Sequence, residues 1–248
     1  MTYNLIGVGN NAKTIKGDGS EYMTAIMYLK PHKTMWKGKV RNICPMADKA
    51  GCVEGCLNTA GRGVMSNVQA GRLRKTELLF EDRKHFINLL KTDITVFNRR
   101  TINRAIQPCV RLDGTSDNQF ERFGLMEQFP AVQFYDYTKI VKRAYKKLPS
   151  NYHLTLSYSE ANPEYANEVK QAVDDTGVNM AVVFGVKSAD DFPATFRGLP
   201  VINGDKDDLR FLDPTHCVVG LIAKGKAKKD TSGFVVHPNE DGTWGRLA

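Results

Sequence analysis

From Cys109 onward, short apolar runs recur roughly every 20 residues, each rich in β-branched or aromatic side chains and each too short to be a helix. They fall at 109–112, 132–135, 153–156, 180–184, 199–202 and 217–222, with amphipathic stretches at 140–148, 164–176 and 189–197 between them. Pro163 stands at the start of the second stretch, where a missing N–H costs a helix nothing. This alternation predicts parallel strands joined by right-handed helical crossovers, the α/β class. Upstream, 35–43 predicts one more strand, and 64–105 predicts two helices or one interrupted helix. Residues 1–33 read as a small N-terminal β element with a turn at Gly17-Asp18-Gly19 and a strand at 22–29. The basic, Gly-rich tail from Lys224 to Gly233 leads to a short strand around 234–236. The expected architecture is therefore a partial parallel (β/α) barrel-like domain over 34–248, preceded by the element at 1–33.

Cys44, Cys52 and Cys56 form a C-x7-C-x3-C run directly after the strand expected at 35–43. Thiolates bind soft, thiophilic centres, and three on one loop can hold three corners of a 4Fe-4S cluster while the fourth iron stays open to a small molecule. A structural zinc site draws instead on four ligands in closely spaced pairs, which the gap between Cys44 and Cys52 does not match. A cluster of buried core thiols is the bland alternative, although the surrounding loop is polar and punctuated by Gly and Pro. The opening residues carry no secretory signal pattern, which points to a reducing cytoplasmic setting and away from disulfides. Cys109 and Cys217 fall in predicted strands and read as core thiols; if either closed the coordination sphere, the role would become structural or electron-transferring.

In parallel sheets and barrels, chemistry gathers on loops at the carboxyl ends of strands. Applied here, that rule selects Asp113, Gly114, Thr115, Ser116 and Asp117, then Asp136 and Tyr137, then Ser157, Ser159 and Glu160, with Lys187, the 203–207 loop and Lys224 further on. Turn chemistry alone would also place Gly, Asp and Asn in such loops. The formal charge of +8 and pI near 9.2 favour a polyanionic neighbour. Two basic stripes, Arg72, Arg74, Lys75, Arg83, Lys84, Arg99, Arg100 and Arg104, and then Lys142, Arg143, Lys146 and Lys147, either neutralise phosphates or form the solvated faces of helices. No apolar run reaches the ~20 residues of a membrane span, and no paired-histidine metalloprotease signature occurs.

A three-cysteine loop feeding a parallel sheet is similar to that of the radical S-adenosylmethionine enzymes, whose usual spacing is C-x3-C-x2-C. That resemblance implies a cofactor chelated on the open iron and an electron donor. By position it assigns Asp113-Gly114-Thr115 to the cofactor's amino group and Ser157, Ser159 and Glu160 to its ribose, with Asp117 and Asp136 positioning cofactor or substrate. A second resemblance covers most of the chain. Asn11-Ala12-Lys13, the cysteine loop, Arg111 to Asp117, Phe134 to Lys139, Ser157 to Glu160 and Asn203 to Asp208 resemble the phage-encoded gene product eighty-eight family, which implies a viral origin and shared cysteines. The expected function is a phage iron-sulfur protein of radical S-adenosylmethionine type. The competing expectation is a nucleic-acid-binding protein with a structural iron-sulfur or zinc site.

Overall fold

The computed structural model describes residues 4–9 and 21–246. The turn expected at Gly17-Asp18-Gly19 lies outside them, as does Asn11-Ala12-Lys13.

The recurrent apolar runs form one mostly parallel sheet. Along it lie β1 (Ile6–Val8), β2 (Tyr22–Met27), β5 (Gln107–Arg111), β6 (Gln133–Thr138), β7 (Tyr152–Ser157), β8 (Met180–Phe184), β11 (Val218–Ile222), β10 (Leu199–Asn203) and β9 (Thr195–Phe196). Every neighbouring pair from β2 to β10 is parallel, and the antiparallel pairs are at the two ends, β1 with β2 and β9 with β10. β12 (Val235–Val236) pairs in parallel with the carboxyl-terminal half of β8, whose first two residues pair with β7. The last strand of the chain thus enters the sheet where β7 and β8 part. The fold is mixed α/β with a mostly parallel central sheet, and the N-terminal strands β1 and β2 extend that sheet.

The segment expected as one strand at 35–43 is instead a separate hairpin of β3 (Lys33–Trp36) and β4 (Lys39–Asn42). Lys37 and Gly38 both have positive φ, 46° and 74°, the twist that joins two strands through a two-residue turn. Of the expected helices, 64–105 becomes α1 (Ser66–Glu81) and α2 (Arg83–Ile102), parted at Asp82, whose carboxylate accepts the His85 N–H and caps α2. A short α3 (Leu125–Gln128) follows β5. Helix α4 (Pro163–Thr176) begins at the Asn162 cap with Pro163 in its first turn and stops at Gly177, φ 71°. The stretches 140–148 and 189–197 do not become helices; each holds one 3-10 turn, Val141–Arg143 and Ala189–Asp191. Pro193 disfavours helical backbone at Phe192, and Arg143 is drawn inward rather than out to solvent.

Both faces of a parallel sheet are as a rule covered by other elements. On one face Val110, Leu112, Phe134 and Leu154 pack with Phe86, Leu90 and Ile94 of α2; further along, Leu156, Met180 and Val182 pack with Val169 and Val173 of α4. Fully burying one such side chain stabilises the fold by about 1.5–3 kcal/mol. The opposite face of β5 to β7 is polar. Arg111 lies over the Tyr137 ring at 4.6 Å and pairs with Asp208 at 3.0 Å, while Phe211 packs its ring on Tyr22 and Tyr135. Among the described residues no helix is long and apolar enough to cross a membrane.

Candidate functional site

The cysteine loop follows the β3–β4 hairpin and is pinned across the carboxyl ends of the parallel strands. The Asp117 N–H donates to the Ile43 carbonyl at 2.9 Å, and the Ser159 hydroxyl donates to the Ala50 carbonyl at 2.7 Å. On its other side the loop meets the C-terminal segment. The missing side chain at Gly55 is filled by the Phe234 ring, 2.7 Å from where a Cβ would stand, and a Cβ on Gly51 would stand 2.5 Å from that of Ala161. Cys44 packs against the cluster under α2, and Cys52 against both other apolar clusters.

All three thiols are partly buried and act on one another. Burial pushes the Cys44 thiol up to about 12; the His32 N–H, 3.4 Å from its sulfur, opposes that, and neighbouring Cys56 adds to it. Burial also raises Cys56, against an N–H bond from Asn58 at 3.5 Å and with the charge of Cys52 adding. Lys139 reaches into the same space from the end of β6, its Nζ 2.9 Å from the Ser157 hydroxyl and 5.8 Å from the Phe234 ring. Burial alone would depress its ammonium, but Cys52, Asp117, Cys56 and Cys44 more than offset that, so it is held above the usual lysine range. Arg72 stands on the Cys56 side, stacked over Tyr28 at 4.9 Å and bonded to Asn58 Oδ1.

This environment can be tested against what the thiols would hold. Four tetrahedral ligands about 2.3 Å from one zinc stand roughly 3.8 Å apart. Among the described residues no three His, Cys, Asp or Glu side chains are grouped to hold a metal ion. The three thiols thus share a region without forming the chelate of a single ion. Soft sulfur donors, N–H groups aimed at two of the sulfurs, and two cations beside them suit a larger anionic iron-sulfur group. Cys109 lies in the middle of β5 and Cys217 immediately before β11, and both are buried. Their thiols are pushed by burial up to about 12 and about 11.

Beneath the loop lies a buried acidic cluster. Asp136 Oδ1 accepts the Asp113 N–H at 2.7 Å, and its Oδ2 accepts the Tyr152 hydroxyl at 3.2 Å. Asp113 Oδ1 accepts from Ser116 at 2.5 Å and Asn118 at 3.1 Å; its Oδ2 is buried with no partner among the described residues. Burial, then the charge of Asp117, pushes Asp113 up to about 6, and burial, then the charge of Asp113, also raises Asp136 well above the usual carboxylate range. Arg143, with no exposed surface, bonds Asp117, Glu121, Tyr152 and the Asn118 carbonyl. Asp117 in turn accepts the Lys139 N–H at 2.7 Å, which sets the root of that lysine.

The residues singled out in the sequence therefore fall into three groups. Asp113, Asp117 and Asp136 are together in the buried cluster; Gly114 and Thr115 are tied to β2, the Gly114 N–H bonding Met27 and the Thr115 hydroxyl bonding Leu29. Ser157 joins Lys139 beside the thiols, and the Thr115 carbonyl lies 3.7 Å from Cys44 Sγ. Ser159 and Glu160 turn to the C-terminal side, where Glu160 accepts the Tyr158 hydroxyl at 3.0 Å and the Arg246 N–H at 2.6 Å. Lys187 is exposed in its loop, and Lys224 pairs with Asp205 at 2.6 Å. The basic stripes are not continuous solvated faces: Arg72 is buried against Asn58, Lys75 donates to the Leu5 carbonyl, and Arg143 is enclosed, because each finds fixed acceptors inside. Lys139, Phe234 and Tyr28 were not anticipated as site residues. Lys139 had a signal, since it immediately follows a strand on the same rim.

The sequence model described as gene product 88 matches residues 4–238. No curated protein and no solved structure matches the chain.

Proposed function

The chain belongs to the gene product 88 family, and from that kinship and the thiol pocket we propose a bacteriophage iron-sulfur protein, active in the host cytoplasm, whose Cys44, Cys52 and Cys56 hold a 4Fe-4S cluster. The observation that carries this reading is the meeting of three partly buried thiols with the Lys139 ammonium at the carboxyl ends of parallel strands. We take the polar face bearing Arg111, Tyr135 and Tyr137 as the inside of a partial barrel and its rim as the place of reaction. The reaction is of radical S-adenosylmethionine type. When bound, the cluster supplies one electron that breaks a carbon-sulfur bond of that cofactor.

The chain's own residues orient and insulate. Lys139 and Arg72 offset the negative charge of three thiolates, and the His32 and Asn58 N–H groups donate to two sulfurs. The Ser157 hydroxyl and the Thr115 carbonyl face the thiol region and serve as polar contacts for the small molecule. Asp113, Asp117 and Asp136 act one layer below, keeping the rim and Lys139 in place. Phe234 and the C-terminal segment exclude water from the Cys52 side.

Anaerobic reconstitution tests the reading. About four irons and four sulfides per chain are expected, lost when any of Cys44, Cys52 or Cys56 is replaced by Ala and kept in Cys109→Ala and Cys217→Ala. Addition of S-adenosylmethionine to the reduced protein should change its paramagnetic resonance spectrum and slowly release methionine with 5'-deoxyadenosine. Stoichiometric zinc without sulfide refutes the cluster. An unchanged spectrum at saturating S-adenosylmethionine refutes the cofactor.

A further inference from the structure

A cleft of about 460 Å³ is lined by the C-terminal segment together with Glu160, and the thiols do not line it. Its walls include Glu160, Lys228, Lys229, Asp230, His237 and Arg246. The charges in it are not equally available. Glu160 spends both oxygens on Tyr158 and the Arg246 N–H, and the Asp230 carboxylate accepts from Ser232, Gly233 and Val235. The Arg246 guanidinium is held by the neutral carbonyls of Thr231 and Ser232, so its charge is fixed in place but not cancelled by them. Lys224 and Lys226 pair with Asp205 and Glu54, whereas Lys228 and Lys229, on the same 3-10 turn as Lys226, form no ion pair among the described residues.

We propose that this cleft binds a phosphate-bearing ligand, with Lys228, Lys229 and Arg246 neutralising the phosphate. Its size suits a ligand of nucleotide dimensions. Three cations, Lys228, Lys229 and Arg246, outnumber the two carboxylates, Glu160 and Asp230, so the cleft is net positive and favours anions, and exposed lysines deliver point charge to phosphate oxygens. The phosphate has two possible sources, a small phosphorylated molecule or the backbone of a single-stranded nucleic acid, and both present the same oxygens.

The full chain is titrated at low salt with inorganic pyrophosphate and, separately, with a fluorescein-labelled oligodeoxythymidylate. The Lys228→Glu/Lys229→Glu variant should lose affinity at least tenfold for whichever probe binds. Lys39→Glu, an exposed lysine on the β3–β4 hairpin and outside the cleft, should bind as the parent protein does. With the oligonucleotide, the slope of log affinity against log salt should also fall by about 1.4 for two lost contacts. Pyrophosphate that binds and displaces the oligonucleotide identifies a small-ligand phosphate site; oligonucleotide binding that pyrophosphate does not reproduce identifies a nucleic-acid strand. Binding of neither probe, or equal affinity in the double variant with unchanged circular dichroism, overturns the proposal.

Discussion

Replacing Arg143 by Met should cost this fold about 3–5 kcal/mol, because one side of a buried ion-pair network is removed and the other stays behind. The structure shows where the loss falls. Asp117 keeps its bonds from the Thr138 hydroxyl at 2.8 Å and the Lys139 N–H at 2.7 Å. Glu121 does not fare as well: its Oε2 loses the guanidinium at 3.0 Å, and its Oε1 is already buried with no partner among the described residues. The Tyr152 hydroxyl and the Asn118 carbonyl lose bonds of 2.7 and 3.1 Å, and Met fills most of the vacated volume, so the cavity term is small. With a urea slope near the upper end of the usual range, about 3 kcal/mol/M, the unfolding midpoint should drop by roughly 1–1.7 M. Tryptophan fluorescence and circular dichroism during urea titration measure it, with exposed Lys146→Met expected within about 0.5 kcal/mol of the parent. Adding Glu121→Gln to Arg143→Met should restore about 1–3 kcal/mol by removing the stranded charge. A loss under about 1 kcal/mol, or no coupling between the two positions, would show that the network is solvated and that Arg143 does not hold the rim.

Asp113 titrates near 6 in the fold and near 3.9 when unfolded, so the folded chain keeps a proton the unfolded one releases, and stability falls as pH rises through that window. Asp113→Asn should therefore gain roughly 2–3 kcal/mol relative to the parent between pH 4 and 7; urea midpoints that keep a constant difference across this range would contradict the assignment. Gly55→Ala drives a methyl into the Phe234 ring and should cost about 1–3 kcal/mol while speeding proteolysis of the C-terminal segment; an unaltered melt and digestion pattern would mean that the contact is slack. In reconstituted protein, Lys139→Met removes a cation from beside the sulfurs and should make the cluster's reduction potential more negative in a potentiometric titration, whereas no change or a positive shift would place the ammonium elsewhere.

The strands were legible because a parallel sheet, covered on both faces, writes itself as short continuous runs such as 180–184, and α4 announced its start through Pro163. The hairpin was not, since Lys37 in a left-handed conformation has no local signature of the Asn-Gly kind. Nor was the placing of β10 outside β11, which follows from long-range packing of Phe192 and Phe196 on Phe184. In the site, spacing exposed the thiols and the strand-end rule exposed the acids. Lys139 was not singled out, and Arg72 and Arg143 were placed in basic stripes, because a basic residue that will be buried reads the same as one that will be solvated. Only the fold decides which of them meets a carboxylate or a sulfur.

The entry of the last strand between β7 and β8 also sets an order of events during synthesis. The cysteine loop leaves the ribosome early, yet the Phe234 wall that backs Cys52 and Gly55 is made roughly 180 residues later, a delay of about 10 to 40 seconds at 5–20 residues per second. For that interval the nascent chain presents Cys52 without the apolar wall that backs it in the finished fold. Whatever the thiols are to receive can be delivered without any opening of the finished protein, and oxidants have the same access. Pairing of β12 then backs the loop, so a chain stopped short of residue 234 would carry every cysteine and still lack the wall against Cys52 and Gly55.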